Sequence, residues 1–156
     1  MASIIVEGFP RSGTTFLHGL LTKAFPNYDV YYSEHTASKL TLENVVVVIR
    51  DPYNAIFSWK NHIGKNDIEP EIAKWYTRYH KELLKNIDNV TLIDFNELIT
   101  DSSRVLEKVS KKLNVDYVTV DVSKLNKDES KEQYASFVTK ETKEAYQTYK
   151  ELLKYL

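Results

Sequence analysis

The residues best suited to chemistry lie near the start of the chain, at positions Gly8–Thr15, which read GFPRSGTT. This stretch follows an apolar run at Ser3–Val6 and precedes a run of helical apolar spacing that begins at Phe16. A strand that turns through glycines into a helix directs backbone N–H groups and the positive end of the helix dipole at one point. The sequence therefore predicts an anion-binding loop here, of the kind that holds a phosphate.

The charge of this loop differs from that of a nucleotide-binding P-loop. Gly8 and Gly13 have the P-loop spacing, but Thr14 stands where the P-loop lysine is expected. Because that lysine holds the β- and γ-phosphates in ATP and GTP enzymes, its absence removes the main cation that faces a triphosphate. Arg11 places a positive charge inside the loop instead. Taken alone, the stretch leaves a plain β–α turn as the alternative.

A second candidate site follows the most apolar run of the chain. Arg50 comes directly after Val45–Ile49, at the carboxyl end of a predicted strand, where open α/β folds bind ligands. Ser58 lies eight residues further on, two turns into a helix that Pro52 begins. A guanidinium and a hydroxyl suit a phosphate monoester. Two alternatives remain open: a strand whose Asp51 binds Mg²⁺, and a surface ion pair between Arg50 and Asp51.

A candidate general base lies in the segment Ser33–Thr36, after another predicted strand. Histidine is the side chain best suited to take up a proton near neutral pH, so His35 is the first candidate and Glu34 the second. A solvent-exposed loop histidine is the alternative. The other histidines fall on predicted helix faces without metal-ligand spacing, so no zinc site is predicted: they are His18, His62 and His80.

The elements that position these residues alternate between strand and helix. The apolar patterns predict strands at 3–6, 28–32, 42–49 and 90–95 and helices at 15–25, 54–61, 68–87, 101–113 and 139–155. In the longest helix a core-facing stripe is predicted: Ile68, Ile72, Trp75, Tyr76, Tyr79, Leu83 and Ile87. Such alternation predicts an α/β fold, a three-layer sandwich in which helices flank a central parallel β-sheet, as in P-loop NTPases.

Both candidate sites resemble motifs of the sulfotransferases that use 3′-phosphoadenosine 5′-phosphosulfate (PAPS). Pro10–Leu17 resembles the 5′-phosphosulfate motif of that family, and Val48–Ser58 is similar to its 3′-phosphate motif, R-x7-S. The resemblance implies that the 3′-phosphate is bound by Arg50 and Ser58. It implies that the 5′-phosphate is bound by Arg11, Ser12, Gly13, Thr14 and Thr15. It also implies that Phe16 packs near the adenine and that His35 occupies the place of the family's base, with Glu34 as its substitute.

The chain departs from the family pattern further along. Leu92–Leu98 is similar to a family strand that ends in Y-E-D-L, with Phe95 in place of the tyrosine. The basic R-K-G-x-x-G-D-W loop of the cytosolic branch is absent. The candidates for a substitute 3′-phosphate cation, with a merely solvated segment as the alternative, are Lys124, Lys127 and Lys131.

Composition limits the remaining possibilities. With 21 basic and 22 acidic residues, the chain has a formal net charge of −1, so neither a nucleic acid nor an anionic membrane is an expected partner. The absence of cysteine excludes disulfides and thiolate metal sites. No apolar run approaches the roughly 18 residues of a membrane span, and no leader pattern precedes the first strand. We therefore expect a cytoplasmic protein with a single sulfotransferase-like domain over residues 1–156.

The function predicted from these residues is sulfonate transfer from PAPS to a hydroxyl or amine acceptor, such as a glycan, a peptide or a small molecule. His35 is the predicted base, and Arg11 stabilises the leaving adenosine 3′,5′-bisphosphate. No metal is expected to be required, because the transferring group carries only about one negative charge. Two alternatives from other classes are a small P-loop kinase that uses ATP and Mg²⁺, and a catalytically silent nucleotide-binding module.

Overall fold

The structure is a computed structural model that describes residues 2–32, 34–65, 67–125 and 139–156. Within these ranges the strands are β1 (Ser3–Glu7), β2 (Asp29–Tyr31), β3 (Val45–Ile49) and β4 (Val90–Asp94). The helices are α1 (Thr14–Ala24), α2 (Pro52–Ile63), α3 (Glu69–Lys85), α4 (Phe95–Thr100), α5 (Ser102–Leu113) and α6 (Lys140–Leu153). None of the helices described combines the length and the apolarity that crossing a bilayer requires.

The elements follow the predicted alternation, with corrections at the start of β3 and at the end of β4. The strand predicted over residues 42–49 begins only at Val45. Phe95 was expected as the last residue of β4, but it begins α4. The Asp94 side chain accepts a hydrogen bond from the Glu97 N–H and so caps the new helix. Asp101 caps α5 through the Arg104 N–H, as its residue type predicts.

The four strands form one parallel sheet in the order β2-β1-β3-β4. The chain leaves β1 toward β2 on one side and then crosses to β3 on the other, so the order reverses between β1 and β3. At such a point the connections leave neighbouring strands in opposite directions and open a crevice outside their carboxyl ends. The loops after β1 and β3, which carry the two predicted phosphate sites, border this crevice.

Helices cover both faces of the sheet, which confirms the predicted three-layer α/β class. One core packs α2, α3 and α6 against the sheet, and the other packs α1, α4 and α5 against the opposite face. Alternate residues of β3 enter the two cores: Val45, Val47 and Ile49 face the first, and Val46 and Val48 face the second. All five are buried, as the unbroken apolar run predicts for a central strand.

The stripe predicted on α3 is correct for most of its positions but wrong for Trp75. Ile72, Tyr76 and Leu83 are fully buried in the first core, whereas Trp75 is 42% exposed. Its ring lies at the rim of that core, edge-on to Phe9 of the loop at a centroid distance of 5.7 Å. Trp75 lies at the edge of the helix face that carries the buried stripe. Its ring therefore covers the edge of the core and does not enter it.

His80 of α3 is fully buried in the same core. Its Nδ1–H donates to the Tyr76 carbonyl at 2.7 Å, and its ring stacks on the Tyr76 ring at 3.8 Å. Within the described parts of the chain, Nε2 has no hydrogen-bond partner. Burial lowers the pKa of His80 to about 4, although the bond to Tyr76 opposes the shift. The imidazole is therefore neutral in the folded protein at pH 7.

The folded protein is expected to lose stability as the pH falls from 6.5 toward 4. In that interval the unfolded chain takes up a proton on His80 that the folded chain does not accept, which stabilises the unfolded state. The shift from 6.5 to about 4 corresponds to about 3 kcal/mol when complete. Urea unfolding at a series of pH values measures this loss. His80→Phe cannot titrate, so it should lose less stability over the same interval, and equal slopes would contradict the assignment.

Candidate active site

The loop between β1 and α1 is shaped for an anion. Arg11 and Gly13 both have left-handed backbone conformations, with φ of 66° and 91°, and α1 begins directly after them. Ser12 is buried, and its Oγ has no hydrogen-bond partner among the residues described. A buried hydroxyl without a partner calls for a ligand or a water, and the first turn of α1 offers N–H donors beside it. These features fit the predicted phosphate-type ligand.

The residues predicted to bind the 5′-phosphate and those predicted to bind the 3′-phosphate are hydrogen-bonded to one another at the crevice. Arg50 Nη1 donates to the Arg11 carbonyl at 2.8 Å, and Arg11 Nε donates to Ser58 Oγ at 2.9 Å. The Arg50 side chain is only 3% exposed, and its guanidinium lies 4.2 Å above the centre of the Phe95 ring. Residues from the loop after β1, from the end of β3 and from α2 therefore form one cationic cluster, which we call the arginine cluster: Arg11, Arg50 and Ser58.

Local contacts fix the β3 side of the arginine cluster. Asp51 caps α2 by accepting hydrogen bonds from the Tyr53 and Asn54 N–H groups, at 2.9 and 3.3 Å. The Tyr76 hydroxyl donates to the Arg50 carbonyl at 2.6 Å. A carboxylate used as a helix cap does not support the alternative in which Asp51 binds Mg²⁺. The cap instead helps to orient α2, whose Ser58 contacts Arg11 in the loop after β1.

His35 lies at the same edge of the sheet, beside the start of the loop. Its Nδ1 is 2.9 Å from the Gly8 carbonyl, which can only accept, so Nδ1 carries the hydrogen. In the neutral ring Nε2 is then the proton-accepting nitrogen, which is the tautomer that a base needs. Glu34, the second candidate, is exposed and forms an ion pair with Lys39 at 3.2 Å. The geometry favours His35 of the two.

The remaining predicted site residues differ in their surroundings. Thr14 is buried at the start of α1, and Thr15 beside it is exposed. Phe16 is 3% exposed and belongs to the second core, beneath the loop. Its adenine contact stays a prediction. Lys124 ends a short 3₁₀ turn, while two of the candidate cations lie outside the described residues: Lys127 and Lys131.

Two features of the site were not predicted from the sequence. Phe95 was interpreted only as a replacement for the family's tyrosine, but its ring lies against the Arg50 guanidinium and packs against Gly13. Glu7, the last residue of β1, is a buried acid that binds Tyr79. The available signal for Glu7 was a charged residue at the end of an apolar strand, directly before the loop.

Comparison with solved structures identifies the fold. The chain is similar to the mouse sulfotransferase SULT7A1 complexed with PAP, with a TM-score of 0.54 and 14% identity over 94% of this chain and 63% of that one. It is also similar to the sulfotransferase domain of the Synechococcus PCC 7002 olefin synthase, with a TM-score of 0.60 and 11% identity over 95% and 94%. The chain thus spans less than two thirds of the mouse structure. No family model and no curated protein matches the sequence. The chain has the sulfotransferase fold, as its motifs predicted.

Gly13→Ala is expected to lower the free energy of unfolding by more than Gly64→Ala. Both glycines have positive φ, 91° and 74°, so each alanine carries a backbone cost of about 1 kcal/mol. Only at Gly13 does the added Cβ meet a neighbour, the Phe95 ring at 2.9 Å, whereas nothing lies within 4 Å at Gly64. Urea unfolding of both variants measures the difference.

The Phe95→Leu background provides the control for this contact. If the ring causes the excess cost, Gly13→Ala should be less destabilising in Phe95→Leu than in the native protein. Contacting residues show such coupling, typically about 0.5–3 kcal/mol. Strict additivity of the two substitutions would mean that the contact is not responsible.

Proposed function

We propose that this protein is a sulfotransferase that transfers a sulfonate group from PAPS to a hydroxyl or amine acceptor. The observation that carries the proposal is the arginine cluster, in which Arg50 binds the Arg11 carbonyl and Arg11 binds Ser58. The sulfotransferase fold supports it, and one of the similar structures was solved with PAP, the desulfated product of PAPS. The acceptor classes considered are glycans, peptides and small molecules.

The arrangement of charges suits a nucleotide with two separate phosphates on one ribose. The 3′- and 5′-phosphates of PAPS are neighbours, so their binding groups must also be neighbours. In the proposal the loop N–H groups, Arg11, Ser12, Thr14 and Thr15 hold the 5′-phosphosulfate. Arg50 and Ser58 hold the 3′-phosphate. The direct bond between Arg11 and Ser58 supports this pairing, because it brings the two groups of ligands within reach of one ribose.

Each proposed catalytic role follows from the chemistry of the group. PAPS supplies a sulfonate activated by its anhydride bond to phosphate. His35 takes the acceptor proton on Nε2, and the Gly8 carbonyl, hydrogen-bonded to Nδ1–H, stabilises the imidazolium that forms. Arg11 and the loop N–H groups stabilise the negative charge that grows on the leaving phosphate. No divalent metal is proposed, because the transferring group carries only about one negative charge.

Adenosine 3′,5′-bisphosphate is expected to raise Tm more than ATP with Mg²⁺ does. At a concentration of 100 times Kd, a ligand adds about 2.7 kcal/mol to the stability. For a domain of this size that corresponds to a Tm increase of roughly 5 to 10 °C. Adenosine 5′-monophosphate is the matched control ligand, because it lacks only the 3′-phosphate. It should raise Tm by less. A larger increase with ATP and Mg²⁺ would favour the kinase alternative.

His35→Gln is expected to reduce kcat by about 10²- to 10⁴-fold, the usual contribution of a general base. Affinity for adenosine 3′,5′-bisphosphate should be unchanged, because His35 is not among the proposed phosphate ligands. Turnover is followed as transfer of ³⁵S from labelled PAPS to a panel of phenols, sugars and amines, and affinity by calorimetry. His62→Gln, an exposed histidine on α2, is the control. Binding without product in the native protein would favour the silent module.

A further inference from the structure

Glu7 is a buried acidic residue that the proposed mechanism does not use. It ends β1, one residue before the loop begins, and its side chain is 0% exposed. Removing a carboxyl group from water is costly unless hydrogen-bond donors replace the water. The donors that surround Glu7 therefore indicate what the residue does at this position.

Donors from separate parts of the chain meet this carboxyl group. Oε2 accepts from the Tyr79 hydroxyl at 2.9 Å and from the Gly8 N–H at 3.3 Å, and Oε1 accepts from the Glu34 N–H at 3.4 Å. Burial raises the pKa of Tyr79, and the neighbouring Glu7 raises it further, so the phenol keeps its proton and donates it. Glu7 thus links the end of β1 to α3 and to the segment after β2.

The hydrogen bond between Glu7 and Glu34 lies just beyond the point where the backbone pairing of β1 and β2 ends. The last paired residue of β2 is Tyr31. Beyond it, the Glu7 side chain accepts from the Glu34 N–H, and the Gly8 carbonyl accepts from His35 Nδ1 at 2.9 Å. The last residue of β1 and the first residue of the loop therefore bind two consecutive residues of the segment that carries the proposed base.

This segment needs such a restraint because of its backbone. His35 has a φ of 58°, a left-handed conformation that costs a residue other than glycine about 1 kcal/mol. We infer that Glu7 is a positioning residue for His35: it fixes the backbone at Glu34 and thereby keeps Nδ1–H on the Gly8 carbonyl, with Nε2 as the proton-accepting nitrogen. The inference rests on the proposed function for the role of His35 as a base. The tautomer itself does not depend on that function.

The test compares Tyr79→Phe with the double variant Glu7→Leu/Tyr79→Phe. The double variant removes the carboxyl group and its buried hydroxyl partner together, because removing either alone can leave a buried polar group unpaired. Tyr79→Phe is the matched control, since it keeps the contact between Glu7 and the Glu34 N–H. Tm and the affinity for adenosine 3′,5′-bisphosphate are measured for both. Tm should be lower in the double variant, because the Gly8 and Glu34 N–H groups lose their acceptor. A cooperative transition and an equal affinity show that the fold and the loop are intact.

The first readout is the tautomer of His35 in the protein without ligand, obtained from ¹⁵N NMR of the imidazole. We expect the proton on Nδ1 in the native protein and in Tyr79→Phe, and a mixture of Nδ1–H and Nε2–H tautomers in the double variant. The second readout is turnover. Partners that orient metal-binding histidines typically contribute about 10- to 100-fold, and by analogy kcat should fall by about that factor while KM for PAPS is unchanged.

A double variant whose His35 tautomer matches that of Tyr79→Phe would overturn the inference. If none of the proteins, the native chain included, transfers sulfonate to any acceptor, the proposed function fails, but the tautomer still decides whether Glu7 positions His35. If the double variant does not fold, Glu7→Asp/Tyr79→Phe replaces it. The shorter acid keeps the carboxyl group but reaches less far toward the Glu34 N–H, so the same tautomer mixture is expected.

Discussion

The buried guanidinium of Arg50 sets the geometry on which the candidate site depends. A guanidinium carries five N–H donors and a permanent charge, so burying it is costly unless fixed partners surround it. The Arg11 carbonyl accepts one of its hydrogen bonds, and the Phe95 ring presents its face to the cation. The contacts of the Arg50 guanidinium therefore bring together the loop after β1, the end of β3 and the start of α4.

The order of the strands makes this meeting possible. Arg11 and Arg50 are 39 residues apart in the chain, yet they are neighbours because β1 and β3 are adjacent and parallel and both end at the same edge of the sheet. α1 and α2 then leave toward opposite faces, each with its own core. The backbone N–H groups at the start of α1 and the side chains that follow β3 consequently face one crevice, with a rigid sheet beneath them.

The sequence predicted those parts of the molecule whose causes are local. The strand–turn–helix pattern around Gly8–Thr15 and the unbroken apolar run Val45–Ile49 depend on neighbouring residues, and the structure has both the turn and the buried central strand. The anion that the loop binds stays a prediction. The sequence placed two residues wrongly, Phe95 and Trp75, and gave no role to Glu7. The surroundings of all three come from distant segments of the chain. Glu7, for example, binds a hydroxyl 72 residues away. Periodicity assigns residues to a face of a helix, but it does not specify which side chain of another element will lie opposite.

Both tryptophans of the chain lie in one aromatic cluster beside the loop, which gives the protein a built-in optical reporter. Trp75 packs on Phe9 within the loop, and Trp59, which follows Ser58 in α2, packs edge-on to Trp75 at 6.1 Å. Indole emission depends on the polarity and mobility of its surroundings. A rearrangement of the loop is therefore expected to change the intrinsic fluorescence of the protein, which can be recorded without attaching a dye.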